Sequence, residues 1–336
     1  MKLKSIFGVC GFLFLILGIF GKAQAQTFDY KISTPYTYKN LTIFLIHGKD
    51  QSSRKNILTL QEAMEKKVIV VYETSDVNEL AVENLSKVDD VFIQSGDIVK
   101  GGKQDRVFGV SIIIPARSGR ILIQVFCVES GRWTKRGGED SSKFSSSNER
   151  IVTKDLKLAA NKTQSQQEVW KGVTAAQDKL SKNAGASVNS SDSSSSLQLS
   201  LENKKVAAMI DEYVKNLSRI ADGKADVIGF AFAVNGKINS ADIYASNALF
   251  KKLWSKMLKA SATEAVAEFD KNTRFAAVKA GNVKTFLSEA EKGKVKENAV
   301  KNRTKVTERE DGDNIVFESL DEKSKVVIHR SYVKKQ

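Results

Sequence analysis

Between residues 27 and 132 the chain alternates short apolar runs with turn residues. Residues 41–48 (LTIFLIHG), 67–74 (KVIVVYET), 79–86 (ELAVENLS), 89–96 (DDVFIQSG), 106–114 (RVFGVSIII) and 120–130 (RILIQVFCVES) are rich in β-branched and aromatic side chains. Gly, Asp, Asn, Ser and Pro115 separate them, so each predicts a strand. One helix interrupts: Thr59 with Glu62 forms a capping box ahead of LQEAMEKK. Residues 115–120 (PARSGR) read as a turn between two strongly apolar strands, which are expected to pair antiparallel at the centre of the sheet.

Residues 131–150 lose this periodicity and gain Ser, Gly and charge, as an ordered functional loop or a mobile one would. A helix is expected over 164–183, with Val169, Trp170, Val173, Ala176 and Leu180 on one face. Residues 183–198 (NAGASVNSSDSSSSLQ) carry too little apolar surface to offset their ordering entropy and read as a linker. Val206, Met209, Ile210, Tyr213, Leu217 and Ile220 mark the next helix. VIGFAFAV and KINSADIY then flank Asn235-Gly236, a type I′ hairpin signal. The two-residue loop sets Val234 opposite Lys237, Phe232 opposite Asn239 and Phe230 opposite Ala241, which leaves a nearly bare face of Ala233, Ala231, Gly229 and Asp242. Ser246 or Asn247 caps ALFKKLWSKMLK. Its stripe of Leu249, Phe250, Leu253, Trp254, Met257 and Leu258 is expected on that bare face, with a ligand groove there as the alternative. A further helix (VKTFLSEAEK) and two strands (NIVFESL, KVVIHRSY) complete the chain.

The pattern predicts an α+β fold: a β-rich N-terminal half, mostly antiparallel sheet or sandwich, then helices with the Asn-Gly hairpin and C-terminal strands. The expected partition is a leader at 1–25, a β-rich half at 26–150, a helical segment at 151–182, a Ser-rich linker or insertion at 183–198 and an α+β half at 199–336. The alternative is a single domain over 26–336.

The leader rests on Lys2 and Lys4, the apolar run 6–20 and the small-x-small site Ala23-Gln24-Ala25. That run falls short of the ~20 residues of a spanning helix, and no later segment is apolar enough to span. The expectation is export with cleavage near Ala25-Gln26, to the periplasm or medium. The formal net charge of +14 includes Lys2, Lys4 and Lys22 of the leader. The remaining excess favours an anionic small molecule or envelope polymer as partner, or only a solvated surface. A protein partner stays open. Nucleic acid is disfavoured, because the charges are interleaved and no aromatic residues alternate with them. Cys127 alone survives processing, so no internal disulfide is expected. It reads as a small core residue, since a nucleophilic role needs His47 or His329 beside it.

Motifs narrow the chemistry. In residues 95–106 (SGDIVKGGKQDR), Gly96 and Gly101 have phosphate-loop spacing. Gly102 stands where Lys is required, however, and a strand follows instead of a helix. The glycine pair can still expose amides as an anion nest, with Lys100, Gly101, Gly102, Lys103, Gln104 and Arg106 as ligand-binding candidates; the alternative is a Gly-Gly turn. Residues 309–314 (REDGDN) fail the calcium-loop pattern at Ile315 and Val316. No metal or cofactor is expected. Arg132 and Trp133, flanked by Glu129, Glu139 and Asp140, offer a guanidinium fork and a stacking face for a sugar or nucleotide. Alternatively, Trp133 closes one end of the sheet and Arg132 pairs with a local acid. Asp105, Glu129 and Asp242, acids beside glycine or small residues, are the catalytic candidates of a hydrolase or transferase.

Two long blocks, VNELAVENLS through CVESGRW and GFAFAVNGKINSAD through ATEA, resemble the ADP-ribosylglycohydrolase- and rhodanese-phosphatase-superfamily-associated protein domain family. The marks are Gly102–Arg106, Cys127–Trp133 and Asn235–Asp242, and the resemblance runs from about Tyr38 to Glu264. It implies no assigned catalytic residue; the name alone hints at ADP-ribose or phosphorylated ligands. Three roles follow: a binding module for an anionic ligand, a carboxylate-based hydrolase or transferase, or a structural envelope protein using the helix around Trp254 or the 131–150 loop.

Overall fold

The computed structural model describes residues 30–51, 57–150, 153–299 and 303–335. The expected leader and its cleavage point lie outside the described residues. In chain order, the first elements are β1 (Lys31–Ile32), β2 (Tyr36–Tyr38), β3 (Leu41–His47), β4 (Ile57–Thr59), α1 (Leu60–Glu65), β5 (Ile69–Glu73), β6 (Glu79–Asn84) and β7 (Asp90–Ile93). Next come β8 (Asp97–Gly101), β9 (Arg106–Phe108), β10 (Ile112–Ile114), β11 (Arg120–Cys127), β12 (Phe144–Arg150), α2 (Lys154–Leu158), a π-helical turn (Ala159–Thr163) and α3 (Gln166–Ala184). The rest comprises α4 (Leu197–Leu201), α5 (Lys204–Leu217), β13 (Val227–Val234), β14 (Lys237–Tyr244), α6 (Asn247–Ala267), α7 (Ala280–Glu291), β15 (Lys294–Ala299), β16 (Thr304–Asp311), β17 (Asn314–Asp321) and β18 (Val326–Lys334).

The fold is α+β and strand-rich. A nine-stranded antiparallel sheet runs β1-β3-β13-β14-β18-β17-β16-β15, with β2 on β3. Because β3 pairs with β13, strands from both ends of the chain share this sheet. A six-stranded sheet runs β12-β8-β9-β11-β6-β5, and a three-stranded one runs β10-β7-β4. The capping box forms as expected: the Thr59 side chain accepts from the Glu62 amide, and the Glu62 carboxylate accepts from the Thr59 amide.

Two expectations about pairing are corrected. β10 and β11 do not pair with each other: β10 joins β7, while β11 lies between β9 and β6. The run 106–114 breaks at Gly109–Ser111, and this break sends its two halves to different sheets. In the hairpin, Asn235 (φ 53) and Gly236 (φ 71) adopt the left-handed pair that a type I′ turn needs. Beyond Ala233↔Ile238, however, a bulge leaves out Asn239, so Phe232 pairs with Ser240 and Phe230 with Asp242. Every residue past the bulge changes face. Gly229 leaves no room for a side chain between these strands, since a Cβ there would meet the Asp242 carbonyl oxygen at 2.4 Å.

The helices sort accordingly. Phe230, Phe232 and Val234 share a core with Leu249, Phe250 and Trp254, so α6 covers the bulky face. Ala231, Ala233 and Ala241 pack with Val283, Phe286 and Leu287, so α7 covers the bare one. This reverses the expected placement: the aromatic face needs the wider apolar stripe, and α7 brings Phe286 to fill the shallow side.

The Ser-rich stretch 183–198 is anchored at several points, although residues 185–187, 189, 191, 192 and 194 are exposed. Val188 is buried, the Ser196 hydroxyl donates to Asp105 Oδ2 at 3.0 Å, and Ser195 Oγ donates to the Ser130 carbonyl at 2.6 Å. Hydroxyl groups spend their hydrogen bonds inside the protein and supply the ordering that apolar area does not. No helix among the described residues is long and apolar enough to cross a membrane.

Candidate functional site

The glycine loop and the Glu129–Trp133 segment meet in space. Gly101 N donates to Asp105 Oδ1 (3.0 Å), Gly102 N to the Asp140 carbonyl (3.1 Å), Lys103 N to Glu73 Oε2 (3.1 Å) and Asp105 N to Glu129 Oε2 (3.1 Å). The protein's own carboxylates and carbonyls therefore fill the amide cradle. The Phe144 ring closes it: a Cβ on Gly102, which sits at φ +55°, would lie 2.3 Å from Phe144 Cζ. Arg132 grips both Glu129 oxygens at 2.8 Å, and Arg136 forks onto Asp105 at 2.9 and 3.0 Å. Asp105 and Glu129 are 0 % exposed. Burial raises the Asp105 carboxyl against the Arg136 fork. Burial pulls Glu129 the same way, but Arg132, Ser193 and the Asp105 amide together outweigh it and hold that carboxyl below the usual range.

The remaining loop candidates are likewise engaged. Gln104 is buried and its side-chain amide donates to the Glu129 carbonyl at 3.0 Å. Arg106 is fully buried, its NH1 donating to the Gln104 carbonyl at 2.7 Å. Lys100 pairs with Glu202 at 2.6 Å. Lys103 donates to Ser75 Oγ at 2.9 Å and lies 5.0 Å from the Trp133 ring centre, while the Arg106 guanidinium lies 5.6 Å from it. Trp133 thus lids Arg106 with one side open to solvent. Cys127 is buried with Sγ 3.6 Å from the Val77 carbonyl, and burial pushes its thiol up to about 11, with Arg106 opposing.

Asp242 is not part of that cluster. The hairpin bulge turns it to the α6 face, where β14 pairs with β18, and His329 Nε2 lies 2.9 Å from Asp242 Oδ1. His329 Nδ1 lies 2.9 Å from Ser111 Oγ. One imidazole therefore bridges an acid and a hydroxyl. Burial alone would raise Asp242, but its hydrogen bond to His329, with the charges of His329, Arg150 and Lys157, holds it below the usual carboxylate range. An ionised Asp242 accepts from Nε2–H, which leaves the Nδ1 lone pair for the Ser111 hydroxyl proton.

The surrounding strands set this line. The Ser319 hydroxyl donates to the Ser111 carbonyl (2.9 Å) and Ile113 N donates to Thr304 Oγ1 (3.0 Å), clipping the Gly109–Ser111 break to the C-terminal sheet. Tyr244 stacks on the His329 ring at 4.9 Å and 14°, and Phe92 meets it edge-on at 5.8 Å. Ser95 N donates to Ser111 Oγ at 3.0 Å. Ser111, 6 % exposed, and His329 both line a cavity of about 410 Å³ between the nine-stranded sheet and the N-terminal strands. Asn161, in the π-helical turn, and Gln164, held at φ 49°, line the same cavity. Irregular helix and strained backbone concentrate at functional sites.

The sequence reading has Asp242 among its candidate acids and His329 only as a base beside Cys127; Ser111 is not among its candidates. Its carboxylates do not converge: Asp105 and Glu129 share a cluster with arginines, and Asp242 belongs to the other. The available signals were a serine inside the apolar run 106–114 and one of only two histidines in the chain set in an apolar strand.

The fold and site define an α+β protein that holds an acid, an imidazole and a hydroxyl in line at a cavity wall. The chain belongs to the ARPP-1 family, the ARG and Rhodanese-Phosphatase-superfamily-associated Protein domain, whose model matches residues 29–333. No curated protein and no solved structure matches the chain.

Proposed function

We propose that the chain is an exported hydrolase of esters or amides that uses Ser111 as nucleophile, His329 as general base and Asp242 as the group that orients the imidazole. One observation carries the reading: His329 spans Ser111 Oγ and Asp242 Oδ1 at 2.9 Å each, and two of the three residues line the cavity. In the first step Ser111 Oγ bonds to the acyl carbon and its proton passes to Nδ1. Asp242 steadies the imidazolium so formed. The leaving group departs with the proton from Nδ1. Water then attacks the acyl carbon, gives its proton to Nδ1 and releases the acid; that proton returns to Ser111. The Ser95 amide holds Ser111 Oγ in place, while negative charge develops on the carbonyl oxygen, for which the Gln124, Asn161 and Gln164 side-chain amides on the cavity wall are the candidate donors. The leader pattern of residues 1–25 supports the exported location of this proposed activity.

The anion-binding reading has less geometric support, because the loop amides, Arg132 and Arg136 are committed to internal carboxylates. The envelope-partner reading relies on the helix around Trp254 or the 131–150 loop, and Trp254 is buried against Phe230 and Phe250. Peptide mapping after incubation with a fluorophosphonate tests the hydrolase reading: the reagent is expected on Ser111 of the folded protein. Folded protein unlabelled at Ser111 at saturating reagent sinks the proposal.

A further inference from the structure

We infer that this cavity selects positively charged substrates, esters or amides that carry an ammonium or guanidinium group beside an apolar portion. The inference rests on the hydrolase reading for the word substrate, but its evidence is the cavity wall. Glu79 and Glu308 both line the cavity, and among the described residues no lysine or arginine lines it. This is unusual for a chain with 53 Lys and Arg against 39 Asp and Glu. Neighbouring acids show the ordinary pattern: Glu310, two residues along β16, pairs with Lys162 and with Lys335, and Glu318 of β17 pairs with Arg330 and Arg309. Basic side chains thus neutralise Glu310 and Glu318, while Glu79 and Glu308 line the cavity without an ion pair among the described residues; Lys296 stands across the β15–β16 ladder from Glu308.

The placement suits a cation. Glu308 stands directly across the β16–β17 ladder from Phe317, and both line the cavity. A carboxylate beside an aromatic face gives an ammonium group two attractive partners, the charge and the ring quadrupole. Glu79 approaches from β6, on the N-terminal side, so the two acids flank the cavity from different sheets. Ile112, Leu122, Ile123 and Val306 supply the apolar wall. In such a recess the effective dielectric is lower than in water and the attraction is correspondingly stronger. The same wall repels an anionic ligand, which separates this cavity from the chain's overall positive charge.

The test uses the Ser111→Ala protein, so that binding is read without turnover. Calorimetric titration with 4-phenylbutylammonium, 4-phenylbutanol and 4-phenylbutyrate compares one shape in three charge states. The ammonium compound is expected to bind at least tenfold more tightly than the alcohol, with no saturable binding of the carboxylate. Glu79→Gln together with Glu308→Gln is expected to erase the difference while circular dichroism and melting stay unchanged. Equal binding of the three, tighter binding of the carboxylate, or a preference that survives the double substitution overturns the inference. The two readings fail separately. Labelling of Ser111 without a cation preference removes only the substrate class. A cation preference with no labelling removes the hydrolase and leaves a cation-binding cavity.

Discussion

On the proposed hydrolase reading, Ser111→Ala protein, folded and otherwise intact, is expected to lose ester turnover by at least about a thousandfold, because alanine offers neither a nucleophile nor a proton for Nδ1. His329→Ala should fall about as far, and the double variant no further, since the two residues act in one step and their losses do not add. Asp242→Asn should cost roughly a thousandfold to ten-thousandfold: the fold is kept, but the acceptor that holds the proton on Nε2 is lost. A structural origin predicts a different pattern. Ser111 Oγ accepts from Ser95 N, so alanine leaves a buried amide unpaired at about 1–3 kcal/mol. Ser111→Cys restores an acceptor there, and its melting separates lost stability from lost chemistry. Initial rates with activated esters, read beside melting curves, decide between them. Rates that follow melting temperature, with Ser111→Ala active when folded, would place the nucleophile elsewhere.

Glu129→Ala is expected to destabilise the protein by about 3–5 kcal/mol, which corresponds to a fall in Tm on the order of 5–15 °C. The substitution strips Arg132 of both carboxylate bonds and leaves Asp105 N without its acceptor, all in a region where Arg132 is 9 % exposed at its side chain. Breaking one side of a buried ion pair leaves the other charge uncompensated, which costs more than the intact pair contributes. Lys103→Ala, by contrast, removes a part-exposed contact to Ser75 and Trp133 and should stay within about 1 kcal/mol. Thermal unfolding of the two variants is the check. A fully stable Glu129→Ala, with Lys103→Ala strongly affected, would reverse the assignment of the loop from internal scaffold to exposed ligand surface.

Local chemistry made much of the fold legible. The capping box at Thr59 and Glu62, the α5 stripe and the Asn-Gly turn each depend on residues within a few positions of one another. What failed depended on choices between distant strands. The bulge at Asn239 has no signature in KINSADIY, yet it decides which face carries Asp242 and which helix covers the small residues. The break at Gly109–Ser111 stood in plain view as a Gly and a Ser within an apolar run; its consequence, two sheets instead of one, depends on β7 and β11 as competing partners. Composition registers the missing apolar area of the Ser-rich segment but not the Ser195 and Ser196 hydroxyls that bond inward. β15 and β16 read as interleaved charge because their strands are polar.

The site was less legible than the fold for the same reason. GGKQDR looked like a cradle for an external anion, and its geometry is a cradle; the occupants are Asp105, Glu73 and Glu129 from the chain itself. Asp242 stood out as an acid beside small residues. Its partners Ser111 and His329 lie far away in sequence, and only the β14–β18 pairing and the Ser319 and Thr304 clips bring them together.

Rapid quench of the wild-type protein with an activated ester, followed by peptide mass mapping, bears most directly on the hydroxyl–imidazole–carboxylate line. The expected result is one acyl group on the peptide containing Ser111, formed before steady turnover and absent from Ser111→Ala. Turnover with that peptide unmodified throughout, or an acyl group seated on another residue, contradicts the account.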